Sequence, residues 1–152
     1  MKNKYKEFID SGLLKPEKIN FSDVRKVLAK AQSNLKSAEI LLANEQYENS
    51  FELAYEAMLS AGRALSFSIN LRPRAQGSHK IIADFTEHAL GKNHINIIRK
   101  FDKMRKKRHY LIYGAGLEIS EIEALGAIKN AREFIEEIEK IIKEKDPQKE
   151  LF

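Results

Sequence analysis

Four side chains able to handle a phosphate share one predicted helix. Arg105, His109 and Tyr113 fall at i, i+4 and i+8, and Arg108 follows Arg105 by three; such spacings put them on one helical face. Arginine grips phosphate oxygens in a fork, histidine can exchange a proton near neutral pH, and tyrosine stacks on a base or donates a hydrogen bond. The same face borders the core. The apolar stripe of this helix starts at Ile97/Ile98, Phe101 and Met104 and resumes at Leu111/Ile112, so its three-to-four spacing passes over Arg105 and Arg108. An unpaired guanidinium is costly to bury, and a helix built for packing alone would carry leucine or alanine there. Two readings follow. The arginines lock the bundle by pairing with carboxylates on a neighbouring helix, such as Glu52 or Glu56, or they hold a ligand.

Charge placement favours a polyanion. The ten residues RKFDKMRKKR (99–108), which include Lys107, carry seven basic side chains and one acidic one, a net +6. The whole chain is +5, so the other 142 residues sum to −1. One positive stripe on a nearly neutral protein suits nucleic acid or nucleotide; the plain alternative is a solvated lysine-rich face. A second basic segment is NLRPRAQGSHK (70–80). Arg72 and Arg74 precede His79, which falls at the start of a predicted helix, where anions are favoured. These three extend the candidate binding set, with a surface histidine in a turn as the competing reading of His79.

Other chemistries are excluded. There are no cysteines, hence no disulfide scaffold, thiolate metal site or cysteine nucleophile. The histidines at 79, 88, 94 and 109 show no metal-ligand spacing, so neither metal nor cofactor is expected, and His88 and His94 read as surface residues. No phosphate-cradling Gly-x-x-x-x-Gly-Lys loop and no Gly-x-Ser-x-Gly elbow is present. The first residues, MKNKYKEFID, lack the apolar stretch of a signal peptide, and YLIYGAGL (110–117) is far too short to span a bilayer. A soluble, cytoplasmic protein without membrane contact is expected.

Helices must position these groups. Only three prolines and seven glycines interrupt a chain rich in Lys, Glu, Ala, Leu and Ile. Residues 1–13 predict a short helix, broken at Pro16, whose Phe8, Ile9 and Leu13 cover one end of a bundle. A long helix is expected over 23–43, capped by Asn20 or Ser22, and a second over 47–69, whose Ala57, Ala61 and Gly62 admit a close neighbour. Residues 70–80 form one loop, and Ser78 caps a short helix that ends at Gly91. Asn93 caps the basic helix to Tyr113, and Gly114 and Gly116 stop it. The last helix opens on a capping box, Ser120-Glu121-Ile122-Glu123, with the stripe Leu125, Ile128, Ala131, Ile135, Ile138 and Ile142; the tail after it is expected to fray. The fold class is all-α: an antiparallel four-helix bundle with one short extra helix and an N-terminal helical segment. Its boundaries are 1–20 for the N-terminal segment, 21–145 for the bundle and 146–152 for a flexible tail.

The segment FDKMRKKRHYLIYG resembles the motif helix of HEPN domains (higher eukaryotes and prokaryotes nucleotide-binding), in which an arginine and a polar residue precede a histidine. The stretches AYEAMLSAGRALSFSINLRPRAQGSHKIIADF and ISEIEALGAIKNAREFIEEIEKII are similar to that family's second helix with its loop, and to its closing helix. The resemblance spans about residues 22–145. It implies a helical bundle that is usually dimeric and often a metal-independent ribonuclease or toxin, in some cases paired with a minimal nucleotidyltransferase antitoxin. Arg108 matches the motif arginine and His109 the polar residue after it. Tyr113 stands where the histidine is expected, and a phenol is a poor general base at neutral pH. The resemblance therefore implies a domain binding RNA or nucleotide through its basic helix, as a homodimer with a possible nucleotidyltransferase partner. The alternatives are an active endoribonuclease toxin using Arg108, His109 and Tyr113 as catalytic groups, and a structural bundle for an acidic protein.

Overall fold

The computed structural model describes residues 2–114 and 118–148. A 3-10 turn (Lys2–Tyr5) leads into helix α1 (Lys6–Asp10) and a short strand β1 (Leu14–Pro16). The long helices α2 (Phe21–Ala43) and α3 (Tyr47–Ser68) follow, then strand β2 (Leu71–Pro73) and helix α4 (Ser78–Leu90). Helices α5 (Ile95–Tyr113) and α6 (Glu121–Lys145) complete the bundle. The all-α bundle expected from the sequence is the architecture found.

Helix α3 is the axis. It is buried on most of its surface, with Ala54, Ala57, Ala61 and Ala64 fully buried beside Tyr55 and Met58, as suits a helix surrounded by others. Helices α2 and α6 pack against it. They run antiparallel to each other, stitched by the pairs Arg25–Asp146, Gln32–Glu139 and Glu39–Arg132. Helix α5 lies antiparallel to α6, from His94–Glu137 at one end to Lys107–Glu123 at the other. Helix α4 is parallel to α3, because His79 meets Tyr55 while Ile82 and Thr86 meet Gly62. A Cβ at Gly62 would sit 2.5 Å from Ile82 Cγ2, so the glycine is what lets α4 lie so close.

That parallel course explains one departure from expectation. The chain must travel from Ser68 back to the level of Tyr55, about 20 Å at the helical rise of about 1.5 Å per residue, within roughly ten residues. Extended backbone covers that distance, and β2 is its first part. It pairs antiparallel with β1 in the register Leu14↔Pro73, Lys15↔Arg72 and Pro16↔Leu71. Residues 70–80 are thus not one loop, and the N-terminal segment does more than cap the bundle. Three-residue strands are too short to show an alternating pattern, which is why they were illegible in the sequence.

The helix ends contain further corrections. Asn20 caps α2 and the Ser120/Glu123 capping box starts α6, both as expected. Ser78 does not cap α4; Gly77 precedes it in the left-handed region at φ 72° and no side chain caps that end. Asn93 lies in a 3-10 turn (Lys92–His94) rather than at a cap, and α5 begins at Ile95. Gly114 ends α5 as expected, while Gly116 lies outside the described residues. Leu125 is 56% exposed and Ala124 faces the core in its place, while Ile128 and the rest of the expected stripe are buried. His94 is not a free surface histidine: it touches the Leu90 carbonyl and the Glu137 carboxylate, each at 3.1 Å.

Candidate functional site

The site begins as a ladder of rings in the core. Phe134 of α6, Phe101 of α5 and Tyr55 of α3 are all fully buried, with centroids 5.0 and 5.7 Å apart along the series. His79 of α4 continues it, stacked on Tyr55 at 5.7 Å with Nδ1 2.9 Å from the Tyr55 hydroxyl oxygen. Three helices therefore converge where α5 swaps an apolar residue for arginine. Met104 is the last buried side chain of α5, and the inward position one turn later is Arg108.

Arg108 is about one-quarter exposed. Its Cζ lies 5.6 Å from the centre of the Tyr55 ring. One terminal nitrogen, Nη2, sits 3.1 Å from Glu56 Oε1. Its Nε is buried and has no hydrogen-bond partner, alone in that respect among the side-chain nitrogens and oxygens of the described residues. Buried donors are nearly always satisfied, so this guanidinium is anchored at one end and incomplete at the other. Arg105 is held differently. Its Nε donates to Asp102 Oδ1 at 2.9 Å, and Lys106 reaches the other oxygen of the same carboxylate at 3.3 Å. Partial burial works to raise the Asp102 carboxyl, but the hydrogen bonds from Arg105 and Lys106 outweigh it and hold it below the usual carboxylate range.

The remaining predicted residues divide among three places. His79 joins Arg108 through Tyr55. Lys107 faces α6 and pairs with Glu123, the residue that also closes the capping box of α6. Arg72 and Arg74 gather with Lys15 and Arg63 around a separate depression. There, Arg72 donates to Glu17 at 2.5 Å and lies 4.7 Å over Phe67, and Arg74 donates to the Gln76 carbonyl. His109 and Tyr113 stay on the outer side of α5, rings 4.8 Å apart, with Tyr113 76% exposed.

Tyr55, which touches both Arg108 and His79, is the neighbour that the sequence did not mark. It falls in a run of core positions with Phe51, Ala54 and Met58, and nothing local marks its hydroxyl as important. Asp102, the single acid of the basic stripe, was the legible hint that Arg105 has a partner on its own helix.

The sequence matches the HEPN domain family over residues 24–141. The chain belongs to the HEPN family. The match includes α3, α4, α5 and most of α6, so every residue gathered around Arg108 lies inside the HEPN domain. Family membership brings a nucleotide- or RNA-related function. No curated protein matches the chain. Among the described residues, no helix of this HEPN protein is long and apolar enough to cross a membrane.

The surroundings of His79 favour its neutral form. Burial lowers its pKa most, Arg108 lowers it further, Arg63 and Arg105 add to that, and Glu56 opposes them. Tyr55 is driven the other way by burial and keeps its proton. With the folded-state pKa of a histidine depressed, stability is full above its unfolded pKa, about 6.5, and is lost progressively as pH falls from that value through the lower folded one. Urea midpoints are therefore expected to drop between about pH 7 and pH 5.5. The drop should be smaller in His79→Gln. Equal pH dependence in the two proteins would show that His79 does not titrate in this way.

Proposed function

We propose that this HEPN protein binds RNA or a nucleotide by a phosphate held at Arg108, with Arg105 and His79 beside it. The observation that carries the reading is the half-satisfied Arg108 guanidinium. A fork paired with internal carboxylates at both ends would serve as a lock; this one has Glu56 on one terminal nitrogen and an orphaned Nε. Arg105 is not spent on another helix either, since its carboxylate partner is on its own. Arg99, Lys100 and Lys103 are exposed and have no carboxylate partner among the described residues, so the stripe can follow a strand away from Arg108. Cleavage is the weaker alternative. His109 and Tyr113 lie outward on α5, apart from the Tyr55–His79 pair, and Tyr113 replaces the histidine that an HEPN ribonuclease uses.

Fluorescence anisotropy of a labelled single-stranded RNA across a salt series tests the reading. Affinity is expected to fall with salt at a log–log slope of about −0.7 per phosphate contacted, with the RNA intact on a gel at every pH used. Metal-independent cutting lost in Arg108→Ala would instead establish the ribonuclease.

The same reading includes a homodimer. Tyr110, Ile112 and Tyr113 at the end of α5 and Ile122 and Leu125 at the start of α6 are exposed, Ile122 by 83%. Lys107–Glu123 ties these two helix ends together. Such apolar exposure suits a second copy. Ile122→Lys with Leu125→Lys is expected to sediment as a monomer with unchanged helicity; an unchanged sedimentation coefficient would place any dimer contact elsewhere. A minimal nucleotidyltransferase is the protein partner this reading expects.

A further inference from the structure

The Tyr55–His79 pair fixes which nitrogen of the imidazole is turned inward and which is left for solvent. Tyr55 is fully buried, and His79 Nδ1 is its hydroxyl's hydrogen-bond partner among the described residues. If Nδ1 carried the proton, the Tyr55 O–H would point into the apolar core with nothing to accept it, a state that buried hydroxyls avoid. His79 Nε2 is under no such constraint. It has no partner among the described residues, yet it is not among their buried orphans, of which Arg108 Nε is the sole case; Nε2 therefore opens to solvent. The tautomer that satisfies every buried group has Tyr55 donating to Nδ1 and the ring proton on Nε2.

We propose that Tyr55 is a tautomer lock, which makes His79 present Nε2–H as a second phosphate donor beside Arg108 and denies the site a bare imidazole nitrogen. The inference rests on the phosphate-binding reading above and sharpens it. With Nε2 protonated and His79 neutral, the ring donates a hydrogen bond to a phosphate oxygen but does not take the proton of a ribose hydroxyl. Arg108, Arg105 and His79 then form a set of donors, which suits holding a phosphate group rather than activating its neighbour. Tyr55 touches no ligand in this scheme and acts only by positioning.

The direct test is a nitrogen-15 histidine spectrum of the full chain at pH 8. His79 is expected to show Nε2 as the protonated, pyrrole-type nitrogen and Nδ1 as the bare one, with Nε2 shifting when inorganic phosphate is added. In Tyr55→Phe, which keeps the ring but removes the lock, the two signals should move toward a tautomer mixture. A wild-type spectrum with the proton on Nδ1 overturns the proposal without any variant.

Affinity for a short labelled RNA supplies the second arm. His79→Ala is expected to weaken binding by about 10-fold, the scale of a hydrogen bond to a charged group, whereas His79→Gln, whose amide still donates, should stay within a few-fold of wild type. Equal losses in His79→Gln and His79→Ala would overturn the donor role. If Arg108→Ala weakens binding and His79→Ala does not, this inference fails alone. If neither weakens it, the phosphate-binding reading fails as well.

Discussion

Arg108→Ala is expected to weaken RNA binding by about 10- to 100-fold, the loss for one charge-assisted contact to phosphate. The fold should survive the change. Arg108 and Glu56 are each about one-quarter to one-third exposed, and a partly solvated ion pair contributes about 1 kcal/mol or less. Circular dichroism should therefore show the same helicity and nearly the same melting temperature. Arg108→Lys is an informative control, because it keeps the charge but loses the planar fork and Nε. An intermediate affinity is expected, with the salt dependence retained. Glu56→Gln should act in the opposite sense. Releasing the carboxylate from Nη2 frees the guanidinium for the ligand, and a few-fold gain in affinity is expected. Unchanged binding in Arg108→Ala, measured at low salt, would remove the centre of the proposed site.

Phe101→Ala is expected to cost about 3–5 kcal/mol, the range for deleting a buried aromatic ring. For a domain of this size that lowers the melting temperature by on the order of 10 °C. Phe101 is fully buried between Tyr55 and Phe134, so α3, α5 and α6 all lose contact when it is cut back. The effect should reach the site. Tyr55 carries Arg108 on its ring and His79 on its hydroxyl, and Phe101 supports the opposite side of the same ladder. RNA affinity is expected to fall even at a temperature where the variant is folded. Scanning calorimetry with anisotropy at 15 °C measures both; an intact melting temperature would mean that the core closes over the missing ring.

The helices and several of their ends, though not the caps expected at Ser78 and Asn93, were legible because they depend on neighbours within one or two turns. Asn20, Gly91, Gly114 and the Ser120/Glu123 box each satisfy or end a helix locally. The anomaly at Arg105 and Arg108 was legible for the same reason, as two cations on an apolar period. The two arginines nevertheless part company in the fold. Arg105 turns to Asp102 on its own helix, and Arg108 turns across to Glu56 and Tyr55. Spacing along α5 could not separate these outcomes, because the choice depends on which helix lies opposite. His109 and Tyr113 read as members of the same face, yet successive helical positions drift around the axis and both end near solvent. Leu125 failed similarly: positions 124 and 125 are equally good continuations of the stripe, and in the fold Ala124 is the buried one.

An all-helical HEPN domain with one strongly basic helix, and an arginine inside an apolar stripe, can be read from single segments of the chain. Periodicity, capping and charge density are properties of a single segment, and they survive being read without the rest. Only the tertiary structure brings His79, well upstream in the chain, to the same Tyr55 side chain that Arg108 covers, while Arg72 and Arg74 from the same segment gather elsewhere. The physical reason is the path of the chain between α3 and α4. An extended return along α3 and the missing Cβ at Gly62 set α4 parallel and close to α3. That placement brings an imidazole to the buried Tyr55 hydroxyl, a contact between residues whose spacing in the chain carries no signal.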